Sequence, residues 1–357
     1  MSEISVFSEW LLKQPEARNR YALGRIAVAK KRVPAVLDRD TVACQRTLEQ
    51  KISEQGPTGQ RVDPHLIGLA LKDMLELRRV RENHHPASGN TKWFSNLITP
   101  QDLIDKRLDE LAPLYSQVAG SSFGNLTGDA LEIITFKCLD EVHRIKPRYV
   151  YQGFFDLDPN KKDRHGRYPK VQPPKTVAGK VTRKEADFIQ FGYDEGGLCL
   201  ECKNYREWLY PHSSMIKELI VKSNDLGLIP VMIHRRIHYT TITNFLEPAG
   251  IIAHESYYQY YPSDANELAA QVSYRRSLGF TDVKATEDPH PRTRKFIAET
   301  LPKVVAHMAD RWTKNRASLV AYAEGQINLA QLYTAIGSPA GGKWQNTGDD
   351  EPPEGWE

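Results

Sequence analysis

Two acids and a lysine, carried by two consecutive apolar segments, are the residues of this chain best suited to chemistry. Asp187 lies in the segment EADFIQFGY, and Glu201 and Lys203 lie in the next segment, LCLECKN. Both segments have the pattern of a β-strand, in which residues two positions apart point to the same face. Two carboxylates brought close together repel each other unless a proton or a cation joins them. Hard oxygen ligands suit Mg²⁺, and a lysine beside a metal and a phosphate can orient an attacking water.

The turn between the two strands decides whether these side chains share a face. Its sequence YDEGG, residues 193–197, fits a three-residue loop that has a glycine at positive φ. This loop places Asp187 opposite Lys203, and it places Ile189 opposite Glu201. A two-residue loop would instead send Asp187 to the other side of the sheet. The three-residue register predicts one surface that carries both acids and the lysine.

The cysteines of this region point to structure rather than to a zinc site. Cys199 and Cys202 form a C-x-x-C pair, but there is no matching second pair, and the two side chains point to opposite faces of a strand. The spacing therefore favours buried thiols. The backbone carbonyl of Cys202 remains a possible hard ligand for a metal. Because the four cysteines, which include Cys44 and Cys138, are too scattered for a disulfide framework, we expect a cytoplasmic protein.

Asp187 and the run Glu201-Cys202-Lys203, separated by thirteen residues, resemble the PD-(D/E)xK nuclease superfamily. Members of that family carry a further acid on the helix before the first strand, and Glu132 in GDALEII is the matching residue. Gly128, four residues earlier, is similar to the G-x-x-x-E pattern of methylation-dependent restriction enzymes. The run ECKN is also similar to Holliday-junction resolvases. The resemblance covers about residues 120–260.

This resemblance implies an α/β fold, with a restriction-endonuclease-like mixed sheet flanked by helices. The residue patterns agree, because they predict helix, strand, strand, strand, helix and strand in that order. The resemblance also implies that Mg²⁺, or Mn²⁺ in its place, is held by Asp187, Glu201, the carbonyl of Cys202 and Glu132. Lys203 then positions or activates the water. Ala186 stands where many members have proline, and a basic insertion lengthens the gap before it.

The rest of the chain divides into segments of different character. Three helices followed by a hairpin resemble a winged-helix module, with a recognition helix at 64–76 and a wing at 77–96. Asp40 is the expected N-cap of a helix over about 41–54. We expect the following organisation: 1–99 winged-helix-like domain, 100–119 connecting helix, 120–262 nuclease core, 263–336 helical C-terminal part, and 337–357 disordered acidic tail.

Charge is unevenly distributed along the chain, although the formal net charge is only +3. Residues 161–184 contain nine Lys/Arg and one Asp, a composition that favours a phosphate-rich partner or, alternatively, a solvated loop. The candidate contacts to nucleic acid are Arg78, Arg79, Arg81 and Lys92 in the wing, Lys161, Lys162, Arg164 and Arg167 in the insertion, and Arg235 and Arg236 at the end of a strand. The wing residues are equally consistent with a solvated hairpin or a protein-binding surface.

The function predicted from these features is a Mg²⁺-dependent endonuclease that hydrolyses phosphodiester bonds in DNA, in restriction or phage defence by analogy with the family. Cutting both strands of a duplex usually takes two sites, so we expect a homodimer. One alternative is a DNA-binding regulator without catalysis on a nuclease-like scaffold. Others are a junction resolvase or an RNase. No apolar window is long enough for a membrane helix, so we expect no membrane partner.

Overall fold

The computed structural model of the chain describes residues 16–54 and 62–338, which fall into two compact units. The first unit contains the residues up to Phe123 together with Glu267–Val283. The second contains Gly124–Asn266 and the described residues 284–338. The predicted C-terminal part 263–336 is therefore divided between the two units. Most of the predicted acidic tail, 337–357, lies outside the described residues.

The first unit packs helices against a three-stranded antiparallel sheet of order β1-β3-β2. Its elements up to Phe123 are α1 (Glu16–Asp40), β1 (Ala43–Cys44), α2 (Gln45–Glu49, continued by a π-turn at Gln50–Glu54), α3 (Pro64–Glu76), β2 (Val80–Asn83), β3 (Trp93–Asn96) and α4 (Gln101–Ala119). On α3 the buried residues Leu66, Ala70 and Met74 recur every four positions and form the side that packs on α1.

Three predicted boundaries in the first unit are wrong, two of them for local backbone reasons. Asp40 ends α1 instead of capping the next helix, because Thr41 adopts a left-handed φ of 71° and the chain then enters β1. The first wing strand was expected at 77–81 and the second at 91–94, and both begin later. Arg78, at a left-handed φ of 51°, forms the turn after α3 and delays the start of β2.

The second unit is a mixed α/β structure, as predicted. Its elements are α5 (Ser121–Ile145), β4 (Val150–Gln152), β5 (Phe154–Phe155), β6 (Lys170–Val171), β7 (Thr176–Val177), β8 (Lys180–Val181), β9 (Phe188–Tyr193), β10 (Gly196–Lys203), α6 (Ser214–Leu226), β11 (Ile229–His234), α7 (Tyr239–Thr241), a π-turn (Ile242–Leu246), α8 (Glu247–Ala249), β12 (Ile252–Glu255) and β13 (Gln259–Tyr261). The remaining elements of the chain are α9 (Asn266–Ser273), β14 (Val283–Ala285), α10 (Pro291–Lys295), a π-turn (Phe296–Thr300), α11 (Leu301–Ala323) and α12 (Leu329–Ala335).

The central sheet of the second unit has five strands in the order β12-β11-β10-β9-β4. Strands β10, β11 and β12 run parallel, whereas β9 is antiparallel to both of its neighbours. On β10, Cys202 Sγ donates to Thr135 Oγ1 of α5 at 3.3 Å, and Glu201 forms an ion pair with Lys222 of α6. Because successive residues of a strand point to opposite faces, α5 and α6 cover opposite faces of the sheet.

The termini of α6 show how local sequence sets an element that supports the site. Ser213 caps its first turn by accepting a hydrogen bond from the Met215 amide at 3.3 Å. Gly227 ends it in the left-handed conformation, at φ 69°. Helix α11 packs against α6 and also contacts β11 and β12. Among the described residues, no helix is both long enough and apolar enough to cross a membrane.

Candidate metal and phosphate site

Asp187 and Glu201 face each other where the β9–β10 hairpin opens toward the end of β10. Leu200 faces Phe188, so the next residues outward, Glu201 and Asp187, lie opposite one another on one face of the sheet. The predicted pairing of Asp187 with Lys203 is wrong by two residues along β10. Because the error is an even number, the shared face is preserved.

The register differs from the prediction because the hairpin combines a shorter loop with a bulge. Tyr193 faces Gly196, which leaves a two-residue loop, and the pairing then shifts by one residue before Leu198 faces Gln190. A two-residue loop alone would have reversed the face of Asp187. The extra residue of the bulge lies on β9 and restores the original face.

Glycine is required in the bulge. Gly192 has a φ of 108°, a conformation that residues with side chains rarely adopt. A side chain at this position would also collide with the backbone oxygen of Arg148, next to β4. Beyond the bulge the ladder is regular, and Ile189 faces Cys199 instead of the predicted Glu201.

Three elements bring three carboxylates together at this edge of the sheet, and a fourth supplies a lysine. Glu132 comes from α5, Asp187 directly precedes β9, and Glu201 lies in β10. Lys170 of β6 forms an ion pair with Glu132, and its Nζ lies 3.8 Å from Asp187 Oδ1. The other oxygen of Asp187 accepts a hydrogen bond from the Cys202 amide at 2.7 Å.

Glu201 holds two lysines at once. Lys203 Nζ lies 2.5 Å from Glu201 Oε1, and buried Lys222 binds Glu201 Oε2. Lys222 is fixed further by donating to the Glu185 carbonyl at 2.8 Å. The three acids are thus matched by three lysines, so the cluster is close to neutral when all six groups are ionised.

Burial and mutual repulsion shift two acids of the cluster, Glu132 and Asp187, toward their protonated forms. Burial, reinforced by the negative charge of Asp187, raises the pKa of Glu132 to about 8. Burial, reinforced by the charge of Glu201, also raises the pKa of Asp187. For these two carboxylates, burial and repulsion therefore outweigh the positive charges around them.

The lysine next to Glu201 responds in the opposite sense. Burial alone would lower the pKa of Lys203, but the negative charges of Asp187 and Glu201 outweigh it and raise that pKa. Lys203 therefore stays a cation and is suited to hold a phosphate oxygen or a water. It is not suited to act as a neutral base in this environment.

The donor set at this edge fits a hard divalent cation. The converging acidic side chains offer only carboxylate oxygens, and the Cys202 thiol is hydrogen-bonded to Thr135 Oγ1 of α5. In an extended strand the N–H and C=O of one residue point to the same side, so the Cys202 carbonyl is directed toward Asp187, as its amide is. An added cation would relieve the repulsion that raises the pKa of Glu132.

The cysteines serve the packing of the second unit, as their spacing predicts. Cys199 and Cys202 are free, buried and on opposite faces of β10. Burial raises the pKa of both thiols. Asn204, just after β10, joins two backbone segments by donating to the carbonyls of Thr127 and Tyr260 at 2.6 and 2.7 Å.

The predicted nucleic-acid contacts of the first unit differ in how available they are. Arg78 and Arg79 are exposed. Lys92 is exposed and pairs with Glu82 at 2.9 Å. Arg81 is engaged within the hairpin, where it donates to Ser95 Oγ at 3.2 Å and to a backbone carbonyl.

Several charged residues of the basic insertion bind the rest of the second unit. Arg167 binds both oxygens of Asp129 on α5, at 2.6 and 3.1 Å. Lys161 pairs with Asp156 at 2.6 Å, and Lys162 lies 3.6 Å from Asp264. Arg164 is exposed. The segment is thus more ordered by internal pairing than a loop that merely follows a phosphate backbone.

Arg235 is not a surface contact, contrary to its assignment from sequence. It is buried, and it donates to the backbone carbonyls of Tyr205 and Arg206. Arg236 is half-buried and stacks over the Tyr257 ring at 4.5 Å. Burial of Arg235 follows from the length of β11, whose buried pattern continues through His234 without a turn.

Lys170 and Lys222 belong to the site but were not identified from sequence. Lys222 had a detectable signal, since it interrupts the apolar side of α6 between Leu219 and Leu226. Lys170 had none, because it is one of many basic residues in the insertion. Its position depends on the pairing of β6 with β5, in which Phe155 faces Lys170.

Comparison with known proteins gives no independent assignment. No protein-family profile matches the chain, and no match was found among curated proteins or among solved structures.

Proposed function

We propose that the chain is a Mg²⁺-dependent endonuclease of the PD-(D/E)xK type that hydrolyses phosphodiester bonds in DNA. The observation that carries the proposal is the meeting of Asp187, Glu201 and Lys203 on one face of a hairpin, with Glu132 supplied by the preceding helix. The order of helix, strands, helix and strand around them supports the same family.

The proposed roles follow from the contacts. Asp187 and Glu201, with Glu132 and the Cys202 carbonyl, would hold Mg²⁺ or Mn²⁺. When bound, the ion supplies Lewis-acid activation of water and neutralises charge on the phosphate. Lys203 orients the attacking water beside the scissile phosphate. Lys222 keeps Glu201 in place through its second oxygen.

The first unit would contribute DNA grip as a winged-helix-like module. Its three helices before the hairpin and its sheet order β1-β3-β2 support this assignment. Helix α3 exposes little positive charge, since its exposed residues are Lys72 and Glu76. The grip would therefore rest on Arg78, Arg79 and Lys92, which suit phosphate contacts better than base reading.

The decisive experiment is cleavage of supercoiled plasmid in Mg²⁺ and in Mn²⁺, with a chelator as the blank. We expect Lys203→Ala to lower the rate about 100-fold or more, because removing one positioned donor at the reacting centre costs about that much. Lys175→Ala is the matched control, since Lys175 pairs with Glu185 on the surface of the same unit. It should cleave at the wild-type rate.

The substrate class is tested in the same assay. Linear duplex, four-way junction, single-stranded DNA and RNA are compared side by side, and duplex DNA should be cut fastest. Preference for the junction or for RNA would replace the DNA endonuclease by a resolvase or an RNase. Sedimentation with and without duplex tests the expected homodimer.

A regulator without catalysis is the second candidate, and one observation favours it. The three acids are matched in charge by three lysines of the chain itself. If the wild type and Lys203→Ala are equally inert on every substrate while the wild type still binds duplex DNA, the regulator replaces the nuclease.

A further inference from the structure

Lys170 sits where a cation serving both Glu132 and Asp187 would have to sit. Its ammonium group contacts Glu132 Oε2 and lies 3.8 Å from Asp187 Oδ1. In the amide orientation that satisfies both of its polar atoms, Gln172 also accepts from Lys170 Nζ at 3.2 Å. The side chain of Lys170 is only 13% exposed. Lys203 and Lys222 are both committed to Glu201 instead.

The positive charge of Lys170 opposes the binding of a metal cation at the same place. Glu132, Asp187 and Glu201 are opposed by three lysines. With all six groups ionised, adding a divalent cation to the closed cluster would leave a surplus of two positive charges in a buried place, which is unfavourable. The surplus falls if Lys170 moves away, and it falls further if a phosphate arrives.

The surroundings allow the side chain of Lys170 to leave while its strand stays. Arg167, three residues earlier, is anchored to Asp129 by two hydrogen bonds. Strand β6 is paired with β5. A lysine has a long flexible side chain with a compact charge, so its ammonium group can change partner without movement of the backbone.

We infer that Lys170 is an exchangeable counter-ion: it yields its place between Glu132 and Asp187 to a divalent cation and is then held by a phosphate of the bound nucleic acid. The inference rests on the proposed metal-dependent function and deepens it. Metal and nucleic acid then bind cooperatively, and each raises the affinity of the other by the same factor. Lys170, which lies in the basic insertion, thus keeps the metal affinity of the cluster low until nucleic acid is bound.

The test measures Mn²⁺ binding directly, by the paramagnetic resonance signal of the free ion. Each protein is titrated alone and with a short duplex whose phosphorothioate backbone keeps its charges and resists hydrolysis. For the wild type, the duplex should tighten Mn²⁺ binding about tenfold, a usual size for coupled sites. Lys170→Met should bind Mn²⁺ about tenfold more tightly without the duplex, and the duplex should then add less than about threefold.

Matched variants separate the possible outcomes. Lys175→Met removes a lysine from the same insertion, but one that pairs with Glu185 on the surface, and it should behave as the wild type does. Asp187→Asn should weaken Mn²⁺ binding in every background. If Lys170→Met does not fold, Lys170→Gln replaces it, and the effect of the duplex on the wild type still tests the coupling.

Two results would overturn the inference, and they differ in what else they overturn. Equal Mn²⁺ affinities for the wild type and Lys170→Met, with the same duplex effect and with binding lost in Asp187→Asn, remove the counter-ion role alone. Absence of Mn²⁺ binding by the wild type in both conditions removes the proposed metal-dependent function as well.

Discussion

Each of the two units buries an acid together with a lysine, but the two clusters differ in how well the acid is compensated. In the first unit, Asp40 accepts from Arg39 at 2.9 and 3.1 Å and from Lys51 at 2.8 Å. Burial alone would raise the pKa of Asp40, but these hydrogen bonds outweigh it and lower that pKa. In the second unit, the pKa of Glu132 is raised to about 8.

The difference shows that a buried lysine does not by itself define a structural ion pair. One acid with two cationic donors is saturated and stabilises the fold. In the second unit three acids share three lysines, and burial with mutual repulsion still raises the pKa of Glu132 and Asp187. The direction of the carboxyl pKa therefore separates a structural cluster from a candidate site, and substitutions of the acids should have opposite signs in the two places.

The largest change in stability is expected at the cluster of Arg39, Asp40 and Lys51 in the first unit. Asp40→Asn should lower the free energy of unfolding by about 3 kcal/mol, because it leaves buried Lys51 without its carboxylate. Urea denaturation measures this change. Glu110→Gln is the control, since Glu110 pairs with Arg107 on the surface of the same unit. A loss below about 1 kcal/mol for Asp40→Asn would contradict the proposed difference between the clusters of the two units.

At the candidate site, replacing an acid should stabilise the metal-free protein instead of destabilising it. The folded pKa of Glu132 lies above its usual value of 4.5, so stability is lost as the pH rises from 4.5 to about 8. Glu132→Gln removes that loss and should raise the free energy of unfolding by about 1–2 kcal/mol at pH 8, and by less at pH 5. Chelator-treated protein is unfolded in urea at both pH values. A destabilised variant at pH 8 would contradict the comparison.

A smaller effect is expected at a buried group that has no compensating charge. Burial lowers the pKa of His254 from 6.5 to about 3, with Arg292 adding to the shift, so the folded state holds the ring neutral. Stability from this group is present above pH 6.5 and is lost as the pH falls from 6.5 toward 3. The loss amounts to about 1.4 kcal/mol at pH 5.5.

His254→Phe should remove this acid sensitivity, because a phenyl ring keeps the stacking on Phe296, whose ring centre lies 4.3 Å away, and cannot take up a proton. The measurement is the difference in unfolding free energy between pH 7.5 and pH 5.5 for the variant and the wild type. Equal differences would show that His254 does not control stability in this range.

The sequence predicted the strands, helices and shared face of the site, because these depend on local patterns. The alternation in LCLECKN and the termini of α6 at Ser213 and Gly227 are of this kind. The register was predicted incorrectly, since a bulge at Gly192 depends on its contact with β4. The shared face was recovered only because a short loop and a bulge offset each other.

The partners of the acids were not accessible from sequence for a different reason. Lys170 meets Glu132 only through strand pairing within a long insertion, and Lys222 meets Glu201 only through the packing of α6. Burial of Arg235 likewise depends on distant backbone carbonyls. Long-range pairing of charges leaves no periodic pattern in the sequence. The sequence alone could therefore identify the candidate acids but not the lysines that pair with them.

Because of the bulge in β9, a residue of this hairpin can be sensitive to mutation without carrying a functional group. Gly192 bears no functional group, yet it offsets the short loop and so keeps Asp187 on the face it shares with Glu201. In a saturation scan scored by any property that needs Asp187 and Glu201 on one face, position 192 would rank with the acids themselves. Such a scan would therefore assign a functional role to a residue that acts only through backbone geometry, unless protein stability were scored beside it.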